Sequence, residues 1–184
     1  MENIVDEVNQ YKDTYYDANK KNTFFKEKQK AELIDQISNN FDMHKLMGAT
    51  TIIIPNTNKV YINYEIFKLY ANESNFQMII NDILVKFTAC VQQYGKFECH
   101  LNIAGFTTTA AQRYQGAVNM FCDACLTAKT DHTTDMTTLY IYNTPLVFDA
   151  IRKMLNPFIH EEIKKKITTI SKKDSAEKLQ ELLK

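Results

Sequence analysis

Between Thr137 and Ile170 the hydrophobic period of the chain switches from strand to helix and back with almost no slack, and this block limits the available folds more than any other. Leu139, Tyr140, Ile141 and Tyr142 form a β-branched and aromatic run that Asn143, Thr144 and Pro145 bring to a stop, which reads as a strand. Thr144 is placed to cap a helix opening at Pro145, since proline lacks only an N–H that the first helical turn leaves unpaired. Val147, Phe148, Ile151, Met154 and Leu155 then share one helical face, opposite Asp149, Arg152 and Lys153. Pro157 restricts the residue before it, so the helix is expected to end near Asn156. Asn156 and Pro157 repeat the cap-and-proline device for a short helix. Glu161 and Glu162 fall early in it and Lys164, Lys165 and Lys166 at its end, the charge order that the helix dipole favours. Ile167 to Ile170 close the block as a second strand.

The rest of the chain extends the same alternation. Up to about Met47 the pattern is helical, with Ile4, Val8, Tyr11 and Tyr15 on one stripe, Phe25, Leu33, Ile34, Ile37 and Phe41 on a later one, and a break expected over Asn19 to Thr23. Thr50 to Ile54 and Val60 to Tyr64 flank Pro55-Asn56-Thr57-Asn58, which predicts a hairpin. Phe76, Ile79, Ile80, Ile83, Leu84, Phe87, Cys90, Val91 and Tyr94 keep helical spacing until Gly95 ends the run. Phe97 to Ile103 alternates as a strand, and Thr107, Thr108 and Thr109 offer capping hydroxyls for a helix carrying Tyr114, Ala117, Val118, Phe121, Cys122, Cys125 and Leu126. Lys129 to Asp135 reads as a polar loop. Strands alternating with amphipathic helices predict an α/β fold, a mostly parallel sheet sandwiched by helices, with residues 1–47 as a short helical extension and 48–184 as the domain proper.

At 184 residues the chain suffices for one domain burying about two thirds of its unfolded surface. Lysine plus arginine and aspartate plus glutamate each number 22, a balance that argues against a nucleic-acid partner. The N-terminus is polar where a signal peptide would be apolar, and no apolar run approaches the length needed to span a bilayer, so a cytoplasmic setting with reduced thiols is expected.

The block from Leu139 to Ile167 resembles the CRAL-TRIO family of lipid-binding and lipid-transfer proteins. The likeness rests on Leu139-Tyr140-Ile141-Tyr142-Asn143-Thr144-Pro145, on Asn156-Pro157-Phe158-Ile159 and on Lys166-Ile167, in the family's order and spacing, with His100-Leu101-Asn102-Ile103-Ala104-Gly105 resembling an upstream family strand. Asn102 stands where the family commonly has aspartate. The resemblance implies a non-enzymatic carrier without a cofactor, holding a phospholipid or other hydrophobic small molecule in an apolar pocket under a gate helix. It implies transient peripheral membrane contact, hence cytoplasmic localisation with reversible membrane association. The pocket and gate are then expected to comprise Tyr140, Tyr142, Val147, Phe148, Ile151, Met154, Leu155, Phe158 and Ile159. For a lipid headgroup it implies Lys166, with Thr134 at the family's acidic position and Asp135 beside it. Reduced members also serve as protein-interaction scaffolds, including for small GTPases, so a protein partner is the rival reading.

Other chemistry has bland explanations. Cys122 and Cys125 form a C-x-x-C, the spacing of a redox pair or half a zinc site, yet both share the apolar stripe of Val118, Phe121 and Leu126, and no second pair completes a ligand set. His44, His100, His132 and His160 are scattered, none on a helix face with a carboxylate or cysteine, and His100 reads as a core or pocket-edge residue. Lys164, Lys165 and Lys166 also read as a solvated helix end. Nucleophile-elbow, P-loop and dinucleotide patterns are absent from the sequence.

Overall fold

The structure, a computed structural model, describes residues 3–20, 24–127 and 132–184. Helix α1 (Ile4–Asn19) starts at Asn3, whose side chain accepts from the Val5 N–H. After it come α2 (Lys26–Asn40) and α3 (Met43–Thr50), the latter capped by Asp42, which accepts from the backbones of His44 and Lys45. Their buried stripes, Val8, Leu33, Ile37, Leu46 and Met47, pack into the same hydrophobic cluster as the sheet. The break between α1 and α2 falls where expected; residues 21–23 lie outside the described residues.

Strands β1 (Thr51–Ile53) and β2 (Lys59–Asn63) pair antiparallel with Ile52 opposite Tyr61, as the hairpin signal predicts. Helix α4 (Tyr64–Tyr70), which the apolar pattern did not single out, follows at once because Asn63 turns from strand residue to cap, accepting from the Glu65 N–H at 2.9 Å. Helix α5 (Phe76–Tyr94) ends at Gly95, whose φ of 75° suits glycine and whose N–H bonds the Val91 carbonyl at 2.7 Å. Strand β3 (Phe97–Asn102) leads to α6 (Thr108–Thr127), where the Thr107 hydroxyl accepts from the Ala110 N–H.

Within the expected loop, His132–Asp135 forms a helical turn, α7, because His132 is buried against the Phe87 and Phe97 rings; residues 128–131 are outside the described residues. Strand β4 (Met136–Thr144) runs to Thr144, whose hydroxyl donates to the Ile170 carbonyl instead of capping a helix. Helix α8 (Phe148–Leu155) therefore opens later than expected, after a turn at Leu146 and Val147. A 3-10 turn (Asn156–Phe158) absorbs Pro157, and the cap of α9 (Glu161–Lys164) is His160, not Asn156. Strand β5 (Ile167–Ser171) passes into α10 (Lys172–Leu182), a helix that the hydrophobic pattern did not announce.

The five strands lie in the order β1-β2-β3-β4-β5, with β2 to β5 parallel. Strands laid down in chain order with right-handed crossovers bring their connecting helices to one face, and α5, α6 and α8 pack side by side. Val60, Phe97, Cys99, Leu101 and Leu139 join Ile79, Ile83 and Phe87 of α5 and Tyr114 and Ala117 of α6 in the core. Alternate residues, Tyr61, His100 and Tyr140, face the other way in one paired row.

Candidate functional site

The apolar face of α8 is seated on α6. Ile151, only 2% exposed, and Leu155 form a second small cluster with Ala111, joined by Met154 and Phe158, while Phe106, Val118 and Ile159 pack against both this cluster and the main core. Ala111 is the fully buried α6 residue at this contact, and its short side chain leaves room for Ile151 and Leu155. Phe148 is half-buried, whereas Val147 is exposed and Leu146, just ahead of it, is fully exposed. A hollow of about 390 Å³ opens at the foot of α8, between the carboxyl half of α6 and the turn into α9, and is lined by Cys122, Asp123, Leu126, Phe158, Ile159, His160 and Lys164 among others.

The structure separates Tyr140 and Tyr142 from this assembly. Along β4 the side chains alternate, so Leu139 faces the helix layer and the two tyrosines face away. There His100 stacks on Tyr140 at 4.8 Å between centroids, shares a 2.8 Å hydrogen bond between its Nδ1 and the Tyr142 hydroxyl, and meets Glu98 at 3.3 Å through Nε2. Beside them the Asn102 amide donates to the Tyr61 hydroxyl, and its carbonyl oxygen accepts from the Asn143 amide and the Ala104 N–H. Burial holds the His100 pKa below its ordinary value despite the opposing pull of Glu98, and drives the Tyr142 hydroxyl up to about 12. The signal for this network was the polar alternation Glu98, His100, Asn102 along an otherwise apolar strand.

Lys166 and Thr134 do meet, through the backbone: the Lys166 ammonium donates to the Thr133 and Thr134 carbonyls at the end of α7. Thr134 is exposed and Asp135 half-buried, and among the described residues no ion pair joins Asp135 to Lys166. Cys122 and Cys125 are both buried. Burial pushes the Cys122 thiol up to about 11, partly offset by a hydrogen bond from the His160 backbone. Among the described residues no group of three or more His, Cys, Asp or Glu is gathered to hold a metal ion, and no helix is long and apolar enough to cross a membrane.

This architecture, a five-stranded, mostly parallel sheet flanked by helices with the amphipathic α8 packed beside α6, is the α/β class that the sequence block suggested. The CRAL/TRIO domain model matches residues 76–184, more than half of the chain, and the chain belongs to that family. Proteins of this family bind lipids and are generally carriers, not enzymes. A crystal structure of Sfh5 aligns at 11% identity and a TM-score of 0.49, covering 78% of this chain and 54% of that one, so this chain spans little more than half of that protein's length. Among curated proteins no sequence matches the chain.

Proposed function

We propose that the chain binds one phospholipid or other small lipid beneath α8 and acts as a cytoplasmic lipid carrier or sensor that meets membranes reversibly. The observation that carries this reading is the separateness of the α8 contact. Ile151, Leu155 and Met154 pack with Ala111 in a cluster of their own, which touches the main core only through shared neighbours such as Val118, so α8 can leave α6 without dismantling the sheet. The exposed Leu146 and Val147 stand at the head of the same helix, where they suit insertion among lipid headgroups. Leu139 and Leu101, half-buried on the sheet face toward the helices, would form the floor. Burying about 400 Å² of acyl surface there supplies on the order of 10 kcal/mol before ordering costs. Lys166 would exchange its two carbonyl partners for a headgroup phosphate, with Thr134 and Asp135 beside it.

The test is native mass spectrometry of the purified chain with organic extraction, followed by fluorescent-lipid transfer between vesicles. Ile151→Asp or Phe148→Asp would set a carboxylate against hydrocarbon and abolish transfer of every lipid. Lys166→Ala would weaken transfer of phosphoinositides and spare neutral lipids. Absence of transfer with any lipid would replace the carrier by the rival, a protein-interaction scaffold, for example for a small GTPase. One observation favours that rival: the α8 face is already filled by α6 side chains, and the hollow lies at its foot.

A further inference from the structure

A second cluster lies outside the carboxyl ends of β2 and β3, at the opposite end of the sheet from Lys166, which precedes β5. Lys68 on α4 holds its ammonium 5.6 Å from the Tyr64 ring centroid and 3.3 Å from where a Cβ on Gly105 would stand. Gly105 has a φ of 72°, so the β3–α6 loop both turns and leaves room for that ammonium. Arg113 on α6 lies 5.8 Å from the Tyr114 ring, and Tyr64 links the two cations through edge contacts with Phe106 at 4.8 Å and Tyr114 at 6.0 Å. Helix α2 packs across α4 and adds Lys26 and Lys30, one turn apart.

The local charges do not balance. Arg113 pairs with Glu27, and Lys68 has only a 3.9 Å contact with the half-exposed Glu65. Lys30 is partly buried, on the same helical stripe as Leu33, Ile34 and Ile37, and among the described residues it has no carboxylate partner. Burial, Lys68 and Lys26 all push its pKa down. A desolvated ammonium among like charges is unfavourable until a negative charge joins it. Helix α6 begins at Thr108, three residues after Gly105, so its amino-terminal turn lies near Lys68 and adds the positive end of its dipole.

We propose that Lys30, Lys68 and Lys26, with Arg113 at the rim, form a binding site for a phosphate-bearing anion, either a soluble phosphate ester or the headgroup of a membrane lipid. This site is distinct from the seat under α8, and its test needs no lipid in that seat.

Thermal unfolding of the full chain is followed with inorganic pyrophosphate and with inositol 1,4,5-trisphosphate, and co-sedimentation with phosphatidylcholine vesicles with and without phosphatidylinositol 4-phosphate. The wild type is expected to be stabilised by the soluble probes in a dose-dependent way. Lys30→Met, which keeps the apolar stem, is expected to melt higher than wild type without anion, yet to bind the soluble probes about tenfold more weakly, the loss of one charged contact worth about 1.4 kcal/mol. These opposite signs separate a ligand-binding lysine from a structural one, whose loss lowers stability and leaves the anion response intact. Lys68→Met is expected to repeat the loss of affinity, and Lys28→Met on the exposed side of α2 to change neither quantity. Response to the soluble probes without added retention on phosphoinositide vesicles assigns a soluble ester. Retention on those vesicles that Lys30→Met removes assigns a lipid headgroup. No response of the wild type in either arm, or a full response in Lys30→Met, overturns the proposal.

Discussion

If α8 is a lid, it must open at a lower free energy than the core unfolds, and Ile151→Ala measures the difference. Ile151 is 2% exposed and rests on Ala111, Leu155 and their neighbours in the small cluster between α8 and α6. Truncating a buried isoleucine to alanine costs about 2 to 5 kcal/mol. The lower part of that range, about 2 to 3 kcal/mol, applies because one side of the cluster is a surface helix that can settle inward. The closed state alone loses this energy, so hydrogen exchange of the α8 amides should accelerate about 30- to 140-fold, at 1.4 kcal/mol per tenfold. The stability lost in urea should be capped at the free energy with which α8 opens in the wild type, because beyond that point the open form becomes the reference state. Amide exchange by mass spectrometry, paired with urea titration, reads both quantities. Wild-type α8 amides that exchange only through global unfolding, at the same free energy as those of α5, would refute the lid.

Phe87→Ala is the contrasting case. Phe87 is 1% exposed and stacks on Phe97 at 4.2 Å, so the full cost of about 3 to 5 kcal/mol should appear in urea titration, and a loss under about 1 kcal/mol would contradict the core assignment. His100 gives the pH dependence. Burial lowers its native pKa below the ordinary 6.5, so the unfolded chain binds more protons in the window beneath 6.5, and stability should fall as pH drops through it; His100→Gln should flatten that slope in urea titrations at stepped pH. Cys122, raised from 9.0 to about 11 and buried, should carry about a hundredth of the thiolate of an ordinary cysteine near neutral pH, and should react with a disulfide reagent only as fast as the fold opens.

The fold was legible wherever one residue type forces one conformation. Gly95 marked the end of α5 and Pro55-Asn56 the hairpin, because chain reversal leaves few choices there. Three helices were missed: α4 begins where β2 ends, α7 is a single four-residue turn, and α10 lacks a periodic apolar face. Helix α10 buries only Ser175, and its signal was the capping pattern Ser171-x-x-Asp174. At the candidate site, Ile151 and Leu155 were legible from the helical period, but their partner was not, since the small residue Ala111 gives no hydrophobic signal of its own. The family resemblance grouped Tyr140 and Tyr142 with the pocket, and Leu139 to Tyr142, apolar or aromatic on both faces, hide the alternation that separates them from it. Thr144 looked like a cap, yet a hydroxyl beside a neighbouring strand found a carbonyl first.

The sequential strand order has a consequence for how the sheet is made. Each parallel strand from β3 onward adds to the edge left by the one before it, so no strand has to be wedged between two already in place. At every stage of synthesis the growing sheet presents a single new edge, and the chain that will cover it is the next to emerge. The last edge is β5, whose exposed Thr168 and Thr169 leave little apolar surface for a stray strand to grip, while the first, β1, is three residues long. Growth of the sheet therefore ends at a polar strand on one side and a very short one on the other, which guards it against edge-to-edge association.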